Sequence, residues 1–251
     1  MAHAFLDHSR PFGIAHRGGS LEHDENTMIA FRHAVALGFR HLELDVRLSR
    51  DGQVVVHHDP DLARMTGDTR EVAAMDWPDL RGLTMRGGGS VPLLAEVLES
   101  LPETFVNIEA KSDDVVAPLA TLLRSMNVLG RVCVGSFEPR RTQALRADLG
   151  PTLCWSPAHS GVLGLWLRGW HVPVPLSAFK VVQVPRAFRG IEVVTPRFVR
   201  AAHKAGIQVQ VWTVNDRAEM ETLLDRGVDA LMTDRPTLLR EVLRARGAWR
   251  D

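Results

Sequence analysis

Apolar and charged residues alternate along Leu42-Glu43-Leu44-Asp45-Val46. Such alternation predicts a β-strand, with Glu43 and Asp45 projecting from one face and Leu42, Leu44 and Val46 from the other. Short apolar runs of this kind recur along the chain and predict further strands. In all they fall at 12–16, 40–45, 104–109, 132–135, 152–155, 179–184, 207–212 and 229–232. Stretches with helical spacing lie between them. Asn26 or Thr27 caps the first helix, Ile29, Ala30, Ala34 and Leu37 give it an apolar face, and Gly38 ends it. Helices are also predicted at 114–123 and 139–149. Thr195-Pro196 is a cap followed by a first-turn proline, and Gly206 closes that helix. Asp216 and Gly227 bracket another, and Pro236 starts the last.

Eight strands interleaved with helices predict an α/β protein with the (β/α)8 TIM-barrel architecture, a single domain over 1–251. One segment exceeds the repeat. Asp51-Gly52 sits between two alternating runs, which predicts a β-hairpin growing from the end of the second strand and bringing His58 back beside Asp45. A full barrel strand there would need a crossover that the short link cannot supply. The segment 59–103 then reads as a small insertion capping the barrel mouth, with one helix near 93–100. The connection 161–176 (GVLGLWLRGWHVPVPL) is apolar, broken by Gly and Pro, and carries two tryptophans. Packing on the barrel is the favoured expectation for it. The alternative is an exposed patch for a lipid surface or a partner.

Composition narrows the classes. Lys plus Arg equals Asp plus Glu at 30 each, so nothing in the overall charge argues for nucleic acid. Cys133 and Cys154 lie in apolar strand-like runs with no ligand spacing, which predicts small core residues and no disulfide. The N-terminal MAHAFLDHSRPFG has no basic region followed by an apolar one, and no apolar run reaches the ~20 residues of a membrane span. A cytoplasmic location is the expectation.

The chemistry gathers at predicted strand ends, where barrel enzymes build their sites. Two neighbouring carboxylates on so apolar a strand repel each other and resist losing water. A divalent cation with oxygen ligands, Mg²⁺ or Ca²⁺ with Mn²⁺ as an alternative, is the simplest compensation for Glu43 and Asp45. The alternative is a solvated strand face. Glu109 is the third candidate ligand; it shares a strand face with Lys111, so a plain ion pair is also open. His16-Arg17-Gly18-Gly19 ends the first strand, joining a titratable ring, a planar cation for phosphate, and glycines that let backbone approach an anion. Two histidines flanking a metal suit acid–base cleavage of a phosphodiester. His57 and His58 face opposite sides of the hairpin strand; His58 is preferred for its place at the end of the run, before Asp59-Pro60. Gln183 ends the sixth strand, and Trp212 is either a wall of the mouth or ordinary core. Capping is the favoured role for Asn26.

These segments together resemble the glycerophosphodiester phosphodiesterase family, among the phospholipase-C-like phosphodiesterase barrels. The resemblance is carried by His16-Arg17-Gly18, Glu25-Asn26-Thr27, Glu43-Leu44-Asp45-Val46, Val55-Val56-His57-His58-Asp59 after Asp51-Gly52, Glu109-Ala110-Lys111, Ser136-Phe137, Gln183-Val184-Pro185, Val211-Trp212-Thr213-Val214-Asn215 and Gly227-Val228-Asp229 through Thr233-Asp234-Arg235-Pro236. It implies a divalent metal on Glu43, Asp45 and Glu109, His16 and His58 as general acid and base, and Arg17 on the phosphate. It implies Lys111 on substrate or phosphate, and it supports the choice of His58 over His57. Gln183 and Trp212 complete the candidate substrate-binding set. The implied reaction turns a small-molecule glycerophosphodiester into glycerol 3-phosphate and an alcohol, through attack by the neighbouring glycerol hydroxyl and a cyclic phosphate. Alternatives are a lysophospholipase D type activity on lysolipids, or a non-catalytic barrel that binds phosphoesters. Two features depart from the family pattern: Asp24 stands where proline usually precedes Glu-Asn-Thr, and the segment after His58 is short.

Overall fold

Parallel pairing orders the strands of this computed structural model, which describes residues 3–249. The two residues at each end of the domain read as 1–251 lie outside the described residues. The strands are β1 (Phe12–Ala15), β2 (His41–Leu48), β3 (Val54–Val56), β4 (Phe105–Ala110), β5 (Val132–Gly135), β6 (Cys154–Trp155), β7 (Val181–Pro185), β8 (Ala187–Phe188), β9 (Ile191–Glu192), β10 (Gln208–Trp212) and β11 (Ala230–Thr233). The helices are α1 (Met28–Ala36), α2 (Ala63–Thr66), α3 (Trp77–Gly82), α4 (Leu94–Ser100), α5 (Val116–Ser125), α6 (Pro139–Leu149), α7 (His159–Gly169), α8 (Pro196–Lys204), α9 (Arg217–Asp225) and α10 (Pro236–Ala245). The order β6-β5-β4-β2-β1-β11-β10-β7 is a nearly closed barrel. Between its two ends, the Gln183 backbone N–H donates to Ser156 Oγ at 3.0 Å.

The strands are apolar on the face that meets the helices. Leu42, Leu44 and Val46 of β2 are fully buried there, in a core shared with Val106 and Ile108 of β4 and Val132 and Val134 of β5. The other face lines the barrel interior. At its lower end His41 stacks on Phe105, lies tilted against Phe12 and meets Phe5 edge-on, and the short N-terminal turn carrying the buried Phe5 closes the bottom. His41 is neutral at physiological pH, because burial pushes its pKa down to about 3. Higher up, parallel register pairs Glu43 with Asn107 and Asp45 with Glu109. The metal-candidate carboxylates are thereby neighbours across a ladder.

The hairpin is as the Asp51-Gly52 signal predicts: β3 runs antiparallel to β2, with Val46 opposite Val56. The following segment builds a small core of its own from Leu62, Met65, Val72, Met75, Leu80, Met85 and Val91. Asp24 ties that segment down, accepting from Gly87 N at 2.7 Å and Gly89 N at 3.4 Å. The acid at the departure from the family pattern is thus occupied by backbone donors of the insertion.

The short helices α2 and α3 add to the one helix expected in the insertion, and two further elements went unseen in the sequence. Residues 159–169 are helical, although 161–176 reads as a broken connection. Its glycines permit contact: a Cβ on Gly161 would stand 2.6 Å from Pro157 Cβ, and one on Gly169 would stand 3.3 Å from the Arg197 carbonyl carbon of α8. The helix packs on the barrel through Leu165, Val162 and Trp166, while Leu163, Trp170 and Val172 stay exposed. The second is the β8–β9 hairpin, only two residues per strand and too short to show a period. Cys133 and Cys154 are register neighbours on β5 and β6, buried and free. Among the described residues no helix is long and apolar enough to cross a membrane.

Candidate active site

A cavity of about 890 Å³ opens at the C-terminal ends of the strands, and His16, Arg17, Glu43, His58, Glu109, Lys111, Gln183 and Trp212 all line it. Asp45 lies just beneath, almost fully buried, held by Lys111 Nζ at 3.1 Å, Arg17 Nε at 3.2 Å and Asn26 Nδ2 at 2.9 Å. All nine candidate residues are therefore brought together.

Carboxylate oxygens of Glu43, Asp45 and Glu109 lie within 4.8 Å of one another. Burial pushes the Glu43 carboxyl up to about 7, with the charges of Asp45 and Glu109 adding to the effect. Burial likewise raises Glu109, against the pull of Lys111. For Asp45 burial acts upward as well, but Lys111 and Arg17 outweigh it and the net shift is down. Lys111 Nζ sits 3.0 Å from Glu109 and bridges it to Asp45. The three acids thus carry more negative charge than their own cations settle, and their hard oxygen donors fit Mg²⁺, Ca²⁺ or Mn²⁺.

His16 and His58 are each gripped by a carboxylate on Nδ1. His16 Nδ1 is 2.6 Å from Asp234 Oδ1, and His58 Nδ1 is 2.7 Å from Asp59 Oδ1. Burial works to raise both aspartates, yet hydrogen bonds from His16 to Asp234 and from Arg64 and His58 to Asp59 bring each down to about 2. Ionised carboxylates only accept hydrogen bonds, so Nδ1 carries the proton and Nε2 is left to face the cavity. His16 Nε2 stands 3.8 Å from Glu43. Burial alone would lower the His16 pKa, but Glu43 and Asp234 overcome it and the net shift is up.

A second ring of partners holds these groups. Asp234 also accepts from Ser20 Oγ at 2.6 Å and Asn215 Nδ2 at 2.7 Å. Asp59 accepts from Arg64 Nε, and Arg64 NH2 donates to Glu25, which in turn accepts from Arg17 NH1. One chain of charges therefore runs from His58 to the phosphate-binding candidate. Arg17 has φ 52° and Asn26 φ 58°, so the backbone is twisted at both to aim their side chains at the carboxylates. Asn26 is not the helix cap: Thr27 Oγ1 accepts from Ala30 N at 3.2 Å, while Asn26 clasps Asp45 through both ends of its amide. The capping expectation fails because a buried carboxylate outcompetes a helix end that already has Thr27.

His57 points away from the cavity. It is buried, its Nε2 faces the Asp61 carbonyl at 3.0 Å, and burial lowers its pKa. Gln183 Nε2 donates to Gln210 Oε1 at 3.0 Å across the barrel wall. Trp212 is wall rather than core: its ring meets Phe137 edge-on at 5.6 Å, and Lys111 Nζ stands 5.8 Å over Phe137. Asn107, unforeseen, lines the same cavity two residues before Glu109 on the same strand face, a spacing that alternation alone would have revealed. Away from the carboxylates the cavity is apolar, walled by Pro157, Val162, Leu163, Trp166, Phe188 and Ile191.

An eight-stranded parallel barrel with a carboxylate cluster and two anchored histidines at its C-terminal mouth defines a hydrolase-type phosphoester site. The chain matches the glycerophosphoryl diester phosphodiesterase family over residues 16–238 and belongs to that family. It is 40% identical over 98% of its length, and 95% of the relative's, to a Mycobacterium tuberculosis protein named probable glycerophosphodiester phosphodiesterase 2. It is 30% identical to rat lysophospholipase D GDPD1, over 92% of this chain and 85% of that one. The crystal structure of glycerophosphodiester phosphodiesterase from Agrobacterium tumefaciens superposes with a TM-score of 0.75 at 27% identity, covering 92% of this chain and 99% of that chain.

Proposed function

We propose that the protein hydrolyses glycerophosphodiesters to glycerol 3-phosphate and an alcohol, in a metal-dependent reaction with two-histidine acid–base catalysis. One observation carries this: three clustered carboxylates from adjacent strands, Glu43 and Glu109 lining the cavity and Asp45 just beneath it, stand at the same mouth as two imidazoles whose Nδ1 atoms are bonded to aspartates, leaving Nε2 for the cavity. Glu43, Asp45 and Glu109 would hold the cation, whose chemistry is to orient the diester and offset charge developing on its oxygens. Arg17 and Lys111 bring fixed positive charge to the phosphate. One histidine takes the proton from the attacking glycerol hydroxyl at Nε2. The other delivers a proton at Nε2 to the departing alcohol oxygen, so that a cyclic phosphate and a free alcohol form. In the second half the roles reverse: water is deprotonated and opens the ring to the monoester.

A specific feature favours lysolipids as the extended substrate class. The wall from Pro157 to Trp166 with Phe188 and Ile191 is mostly apolar, broken by His159 and Ser160, which suits an acyl chain better than a small polar alcohol. A relative named lysophospholipase D is consistent with that preference.

The test is a coupled glycerol 3-phosphate assay over glycerophospho-alcohols and lysolipids, with Mg²⁺, Ca²⁺ and Mn²⁺ varied, alongside detection of lysophosphatidic acid. Release that depends on added cation and stops in EDTA is the expected outcome. Steady release in EDTA overturns the metal role. No turnover of any diester by the metal-loaded protein would make it a phosphoester-binding barrel.

A further inference from the structure

We propose that the wall formed by α7 and the β8–β9 hairpin is a docking surface for anionic phospholipid bilayers, seating the cavity mouth on the membrane. Single exposed apolar side chains need no explanation, but a concentration of them does. Among the described residues eight large apolar side chains are exposed, and six of them, Phe137, Leu163, Trp170, Val172, Phe188 and Ile191, fall between 137 and 191, each at least 41% exposed. Phe188 and Ile191 face each other across β8–β9. The hairpin joins them through Arg189 and Gly190, both with positive φ (49° and 79°), a tight turn that holds the pair at a projecting tip.

This patch extends past the cavity. Leu163 borders the cavity, but Trp170 and Val172 do not, so a substrate held in the cavity does not account for their exposure. Leu163 of α7 and Trp170, the residue just past its end, are seven positions apart, about two helical turns. The helix is joined to the hairpin, because His159 and Phe188 rings lie 5.1 Å apart and Trp166 Nε1 donates to the Glu192 carbonyl.

Charge selects the occupant. From residue 149 to 191 the chain has no Asp or Glu but carries Arg168, Lys180, Arg186 and Arg189. Arg189 stands over the Phe188 ring at the hairpin tip, and Arg197 of α8 stands over Trp170 at 4.5 Å. Arg186 is occupied by Glu192 and Glu219. The acid nearest the patch, Glu192 of β9, is paired with Arg226 as well. Tryptophan and arginine beside such an apolar surface match the interface of a bilayer, where rings settle at headgroup depth and cations meet lipid phosphates.

The inference does not depend on what is hydrolysed, because binding is measured without substrate. The intact protein is floated with phosphatidylcholine vesicles, with and without phosphatidylglycerol, at low and high salt. Flotation with the anionic vesicles that weakens in high salt is expected. Trp170→Ser/Val172→Ser, outside the cavity, should lose at least ~10-fold in vesicle affinity, judged by the apolar area withdrawn, while hydrolysing a water-soluble diester at the wild-type rate. Absence of flotation, or equal flotation of the variant, overturns the proposal. So does sedimentation showing a dimer that the same substitutions dissolve, since the patch would then be an interface between copies.

Discussion

His16 Nδ1 meets Asp234 Oδ1 at 2.6 Å across the seam where the last barrel strand pairs with the first. The aspartate is itself held by Ser20 and by Asn215, whose Oδ1 also accepts from Asp234 N at 2.8 Å. The imidazole is thus fixed in both tautomer and direction by groups from three segments. Asp234→Asn leaves the shape but removes the obligate acceptor. A kcat loss of about 10²-fold or more is expected, with KM and metal affinity nearly unchanged, because only the protonated and oriented ring is affected. Steady-state kinetics with a calorimetric metal titration check this; a loss confined to KM would mean that Asp234 shapes the cavity instead.

The same aspartate gives a pH signature to stability. Its folded pKa is about 2 against an ordinary 3.8, because the hydrogen bond and charge of His16, with Ser20 and Asn215, outweigh burial. A depressed carboxyl stabilises the fold above its unfolded pKa, and the contribution is lost as pH falls through the folded value. The shift corresponds to about 2 kcal/mol. Urea unfolding should therefore show wild type more stable than Asp234→Asn by about 2 kcal/mol at neutral pH, the gap closing between about pH 4 and about pH 2. A gap that does not change with pH would contradict the assignment.

Neighbouring histidines should separate cleanly. His58→Ala is expected to cost about 10²- to 10⁴-fold in kcat with an unchanged melting curve, since its ring faces the cavity. His57→Ala should do the reverse. Its ring is buried against the Asp61 carbonyl, so losing it costs roughly 1–3 kcal/mol of stability and leaves kcat largely intact in the folded protein. Thermal melts and kcat on the two variants decide the matter.

What the chain makes legible is what local pattern encodes. The alternation of Leu42 to Val46 places Glu43 and Asp45 on the inner face, and Asp51-Gly52 announces the hairpin. The barrel-strand positions are also legible: 132–135 matches its strand, and the other strands shift at one or both ends by one to three residues. Closure of the barrel is not local. Asp234 is 218 residues from His16, and only the pairing of Ala15 with Thr233 makes them neighbours. Arg64 reaching Glu25 is similarly a contact between an insertion and a loop. The α7 helix is hidden by glycines that its close packing on Pro157 and α8 requires.

The final prediction concerns the carboxylates. Glu43 and Asp45 share one strand face, and Asp45 is in register with Glu109 on the next strand, so all three aim into one small volume. Lys111 and Arg17 lean on Asp45, which leaves Glu43 with no side-chain cation closer than His16 Nε2 at 3.8 Å among the ion pairs of the described residues. A cation held there, as proposed, would draw its charge balance most from Glu43, with Glu109 and Asp45 shared with Lys111. Removing a partner one shell out from a metal typically weakens binding 10- to 100-fold, so deleting a direct ligand should exceed ~100-fold. Glu43→Ala, Asp45→Ala and Glu109→Ala are therefore expected to lose the calorimetric metal isotherm together with turnover. His16→Ala and His58→Ala should keep the isotherm and lose turnover alone. Metal binding that survives in Glu43→Ala, or vanishes in His16→Ala, would overturn the division between ligands and acid–base groups.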